Sequence, residues 1–81
     1  MNFVALVGRI HDPKGSITRH LEVIKPNSAE NLFIPCRYWT PGVACALSSL
    51  EDGTLISARG RIDSDKELGL YVIIEDFMII K

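Results

Sequence analysis

The stretch 32–39 holds the side chains whose types and spacing point most directly to a chemistry. Phe33, Pro35, Arg37 and Trp39 share one parity, and Leu32, Ile34, Cys36 and Tyr38 share the other. In an extended strand the two parities face opposite sides of the sheet. Only the first interleaves rings with a cation; the second is core-like. Flat rings for bases and cations for phosphates together hold a single strand without reading its sequence. Phe33 and Trp39 are therefore the expected stacking platforms, flanked by Arg37. A second alternating run, 54–62, sets Ile56, Ala58, Gly60 and Ile62 on one face and Leu55, Ser57, Arg59 and Arg61 on the other. Arg59 and Arg61 suit phosphate contacts or stacking through their guanidinium planes. Arg9, Lys14 and Arg19 extend a basic track around the first hairpin, and Tyr71 offers a third ring. Plainer placements compete: Phe33 in the core, Trp39 as a plug at one barrel end, and Arg59 and Arg61 on a solvated face.

The bulk composition sets limits on this reading. The chain has 81 residues, 47% of them hydrophobic and 23% charged, which suits one small globular domain. The net charge of −1 does not by itself mark a nucleic-acid binder. Its distribution is more telling: residues 1–40 carry five cations against three carboxylates, and residues 41–81 carry four against seven. An anion-binding surface must then be local, drawn from the first half plus Arg59 and Arg61. Cys36 and Cys45 form neither a CxxC pair nor a metal set with His11 or His20, and read as buried thiols. No Ser–His–Asp spacing, Gly-rich phosphate loop or His pair on a helix face is present, so the chain is read as a non-enzyme without cofactor or metal. Met1 leads straight into a strand-like run, and the apolar runs fall well short of the roughly 20 residues that span a bilayer. A cytoplasmic location away from membranes is expected.

The elements that must position these residues follow from periodicity and punctuation. Phe3–Ile10 reads as a first strand, closed by the turn cluster His11-Asp12-Pro13-Lys14-Gly15. Ser16–Ile24 reads as a second, with Ile17, Leu21 and Val23 on one side. Arg19 interrupts that apolar side, which fits either a barrel end or a bulge. Leu32–Trp39 is the third, with Pro35 implying an edge or a bulge. Thr40-Pro41 resembles a helix start, Val43, Ala46, Leu47 and Leu50 a buried helical stripe, and Asp52-Gly53 its end. Thr54–Ile62 and Leu70–Ile80 complete five strands around a polar loop, Asp63–Gly69, with a bend near Glu75-Asp76. Gly60 suits tight curvature. A short helix between the third and fourth of five strands is the layout of the OB-fold, a small Greek-key barrel.

Four segments, in order, carry a resemblance to the bacterial single-stranded DNA-binding protein family. Asn2–Ile10 followed by Asp12-Pro13 is similar to its opening strand, Phe33–Trp39 to its third, Gly53–Ile62 to its fourth and Leu70–Ile80 to its closing strand. The resemblance implies an all-β OB-fold with one short helix, sequence-tolerant binding of single-stranded DNA in replication, recombination or repair, and stacking by Phe33 and Trp39. It also implies assembly into a homodimer or larger homo-oligomer through the first strand. The outward row Phe3, Ala5 and Val7 agrees, because an exposed apolar row suits burial against a partner. The chain ends one residue past its last strand, without the family's acidic-tipped tail, and its loops are short. It thus reads as a compact relative, similar in build to the dimeric primosomal accessory proteins. RNA as ligand and replication proteins such as a helicase as partners stay open. So does an alternative in which the barrel is a protein-interaction module or loading factor with weak nucleic-acid affinity.

Overall fold

Five segments of period-two sequence close into one barrel in the computed structural model, which describes residues 2–25, 27, 29–40 and 45–81. The strands are β1 (Val4–His11), β2 (Arg19–Val23), β3 (Leu32–Tyr38), β4 (Leu55–Asp65) and β5 (Gly69–Ile79). Around the barrel they run β1-β2-β3-β5-β4, all antiparallel except β3 against β5. This is the expected OB-fold barrel.

Inward-facing Ile10, Leu21, Cys36, Leu47, Ile56, Ala58, Val72 and Ile74 form the core. On β1, Leu6, Gly8 and Ile10 turn in while Ala5, Val7 and Arg9 turn out, as the alternation requires. Burial pushes the Cys36 thiol up to about 12, which keeps it an inert core group. In the closed ladder each of the five strands has a neighbour on both sides.

Three local features differ from, or sharpen, the sequence expectation. First, 45–50 forms turns rather than a regular helix. Ser49 N–H donates to the Cys45 carbonyl at 3.2 Å and Leu50 N–H to that of Leu47 at 3.3 Å. Leu47 is the residue that enters the core, whereas Ala46 is exposed, so the four-residue stripe is not buried as one face. Pro41 and Val43 lie outside the described residues. Gly53 closes the segment at φ +89°, donating to the Ile10 carbonyl at 2.7 Å. Second, β4 and β5 run on to Asp65 and back from Gly69, so the polar loop is a tight hairpin. Asp65 caps its turn by accepting from Glu67 N–H at 2.7 Å. Third, Pro35 stands where β3 pairs with β2 one residue before the β5 ladder begins at Cys36, an edge position on that side.

The bend in β5 is a β-bulge. Arg59 pairs with Asp76 and Gly60 with Ile74, leaving Glu75 as the extra residue. The inward parity changes there: Val72 and Ile74 point in before it, Phe77 after it. Both Glu75 and Asp76 consequently face out. Gly60 is required because a Cβ there would overlap the Ile73 carbonyl across the bulge. Among the described residues, no helix is long and apolar enough to cross a membrane, and no group of His, Cys, Asp or Glu has the makings of a metal site.

Candidate nucleic-acid interface

The parallel pairing of β3 with β5 assembles the site. Arg37 on β3 is paired with Ile73 on β5, and Ile73 is paired with Arg61 on β4. This cross-strand row places two arginines on either side of an apolar floor, on the outer face of three strands. Ile17, Tyr38, Trp39 and Tyr71 complete the walls of one open groove. Trp39 is 55% exposed, so its indole is not a barrel plug. Its backbone N–H donates to the Ile74 carbonyl at 3.0 Å, which extends the β3–β5 ladder by one residue and fixes where the ring stands.

Arg37 is held in place by three groups. Its Nε donates to Thr18 Oγ1 at 2.9 Å, its Nη1 lies 3.8 Å from Asp65, and its guanidinium sits 5.5 Å from the centre of the Tyr71 ring. The last is cation–π geometry. Asp65 is depressed below the usual carboxylate range, first by the N–H of Glu67, then by that of Leu68, and less by Arg37. Arg61 pairs with Glu75 at 3.1 Å, and Arg59 with Asp76. The bulge thus supplies one carboxylate to each arginine of β4.

The other sequence candidates disperse. Phe33 is 57% exposed, which excludes core packing, but it stands at the far end of β3. It is six residue steps from Trp39, about 20 Å along a strand. Its ring lies 5.8 Å from that of His11, tilted by 47°. Arg9 donates to the Gly53 carbonyl at 3.0 Å and lines a separate hollow with Val7, Glu22 and Leu55. Lys14 pairs with Glu51 at 2.9 Å.

Arg19 is a correction. It is fully buried, with Nε donating to the His11 carbonyl at 2.9 Å and Nη1 to the carbonyls of Leu47 and Ser48 at 3.1 Å each. It ties the 45–50 turn to β1 and reaches no ligand. Its parity with Leu21 and Val23 was the available signal, because a strand residue on the apolar side points inward whatever its charge. Ile17 and Ile73 also line the groove, and Thr18, Asp65 and Glu75 hold its arginines; sequence reasoning did not single them out for it. Their roles depend on the parallel β3–β5 register and on the bulge.

A second exposed region lies on the neighbouring outer face. Val7 pairs with Ser57 and Ser57 with Met78, giving one outward row; Ala5 pairs with Arg59 beside it. Phe3, Val7 and Met78 are all well exposed.

Comparison with solved structures returns the same architecture. The mitochondrial single-stranded DNA-binding protein Rim1 of S. cerevisiae superposes with a TM-score of 0.74 at 12% identity, covering 99% of this chain and 94% of that one. A second crystal form of Rim1 gives 0.66, again at 12% identity, over 98% and 92%. The N-terminal domain of PriB from Thermoanaerobacter tencongensis, described as dimeric, gives 0.74 at 22% identity over 99% and 97%. No protein-family model and no curated protein sequence matches the chain. At these identities the likeness establishes the fold alone, an OB-fold barrel.

Proposed function

We propose that the protein binds single-stranded DNA, without sequence readout and without catalysis, along the outer face of β3 and the adjoining parts of β4 and β5. The convergence of Arg37, Trp39, Arg61 and Tyr71 on one open groove carries this reading. A strand laid there stacks a base on the Trp39 indole and places phosphates against Arg37 and Arg61, which exchange their carboxylates for the ligand. Phe33 supplies a second platform further along β3, and Arg59, Arg9 and Lys14 lie at the margins. The two neighbours named as single-stranded DNA-binding and PriB proteins support the assignment by fold. The row Phe3, Ala5 and Val7, joined by Met78, serves as the contact with a second copy of the chain, in keeping with the dimeric PriB domain.

The test is a titration of dT and rU oligomers at two salt concentrations, reading Trp39 fluorescence and complex mass. Quenching of Trp39 that saturates, and affinity that falls as salt rises through counterion release, are expected. Unchanged emission with no complex at low salt would remove nucleic acid as the ligand and leave the groove to a protein partner.

A further inference from the structure

The His11 cluster at the Phe33 end of the same outer face is not explained by the groove. His11 Nε2 lies 2.8 Å from Glu22 Oε1 and its Nδ1 lies 2.8 Å from Asp52 Oδ1. Carboxylates only accept, so both contacts are hydrogen bonds only when both ring nitrogens carry protons. The imidazolium is the form that this geometry selects. Glu22 also accepts from Asn31 at 2.7 Å, and it is the register partner of Phe33. The Phe33 ring packs 5.8 Å from the imidazole. One histidine therefore holds the carboxylate next to a stacking ring and the carboxylate of the 51–53 turn.

The surrounding charges are these. From β1 comes Arg9, whose charge acts on Glu22 and which lines the same hollow. From β2 comes His20, the register partner of His11, bonded to Asp12 at 2.6 Å. From the turn come Asp52 and Glu51, the latter paired with Lys14. Arg19 is bound to the His11 carbonyl from within. Among the described residues, no lysine or arginine is bonded to Glu22 or Asp52 beside His11.

We infer that His11 is a positioning cation of the proposed interface: protonated, it draws Glu22 and Asp52 together beside Phe33, and neutral, it releases a carboxylate onto the path of the nucleic-acid backbone. The inference rests on the single-strand reading above. The cluster of His11, Glu22 and Asp52 carries one net negative charge with the imidazolium and two without it. A neutral ring keeps one N–H, so one nitrogen lone pair then faces a carboxylate oxygen and that contact opens. The hydrogen bond that His11 donates to Glu22 chiefly, and the one it donates to Asp52, raise His11 above its ordinary value of 6.5, with burial opposing. The loss of the proton therefore falls above pH 6.5, and affinity weakens as pH rises through that window.

The experiment measures anisotropy of a labelled dT oligomer between pH 6 and pH 9 at constant ionic strength, for the wild type and His11→Gln. The wild type is expected to bind about two- to fivefold more weakly at the alkaline end, the worth of one exposed charge. The variant is expected to lose that slope. Proton NMR of the wild-type ring provides a second readout that needs no variant. Linkage requires bound dT to raise the His11 midpoint further. Equal pH slopes in the two proteins, or a midpoint unmoved by dT, would overturn the role of His11 while leaving the interface standing. No binding even at pH 6 would overturn the interface and this role together.

Discussion

Strands β4 and β5 present two unlike halves on one outer surface. Before the bulge, along Val7, Ser57 and Met78, the outward row is apolar or small and makes no ion pairs. At the bulge Arg59 is bonded to Asp76, and beyond it Arg61 is bonded to Glu75 while Ile73, Arg37, Tyr71 and Trp39 form a groove. The same backbone ladder serves both, so strand propensity does not distinguish them. What separates them is one inserted residue, Glu75, with Gly60 opposite. The apolar half offers surface that gains by leaving water. The polar half offers rings and cations whose present partners are exchangeable. The first suits a partner that stays; the second suits a ligand that comes and goes.

The sharpest way to break this division is at Trp39. Trp39→Ala should weaken dT binding by about 1–3 kcal/mol, the worth of one base–aromatic stack. An exposed ring contributes little to the core, so the thermal midpoint should stay near that of the wild type. Loss of folding on this change would return Trp39 to a structural role.

Removing the boundary comes next. Gly60→Ala forces a Cβ against the Ile73 carbonyl, and overpacking of this kind costs about 1–3 kcal/mol. Denaturant unfolding reads the loss directly. An unchanged midpoint would show that the bulge does not need glycine.

On the apolar half, Val7→Glu places a charge in the row proposed to meet a second copy. Light scattering should show monomers where the wild type associates, with dT affinity per chain little changed at low protein concentration. A dimer that survives the substitution would assign self-association to another face.

Smaller effects should follow from the ion pairs. Glu75→Gln and Asp76→Asn free Arg61 and Arg59, and each should tighten dT binding by about 0.2–1 kcal/mol at low salt. Weaker binding instead would mean that the carboxylates orient the arginines rather than compete with the phosphates. The weakest expected effect is on stability against pH. His11 is raised in the folded protein, so its contribution is complete below pH 6.5 and fades as pH climbs through the raised value. His11→Gln should flatten that part of the stability profile.

The barrel, and the outward placement of several candidate residues, are legible in the sequence for reasons visible in particular residues. The pleat fixes side-chain direction with period two, so Phe33, Arg37 and Trp39, and likewise Arg59 and Arg61, could be placed outside from their spacing. The inward parity of Val4, Leu6, Gly8 and Ile10 was legible in the same way. The register between distant strands is not. The meeting of Arg37 with Arg61 across Ile73 depends on a parallel pairing between strands far apart in the chain, which no local pattern encodes. The carboxylate partners depend on a one-residue insertion. Arg19 departs from the expected basic track because its parity, not its charge, sets its direction, and carbonyls receive its Nε and Nη1 donors inside. The helix expected after β3 is replaced over 45–50 by turns, with Leu47 alone of the described stripe fully buried.

Amide and indole chemical-shift mapping on addition of a dT oligomer tests the division of the surface most directly. Shifts should concentrate at the Trp39 indole, Arg37, Arg61, Ile73 and Tyr71, and the signals of Ala5, Val7 and Met78 should stay in place. Shifts centred on the Val7 row with a silent Trp39 would contradict it.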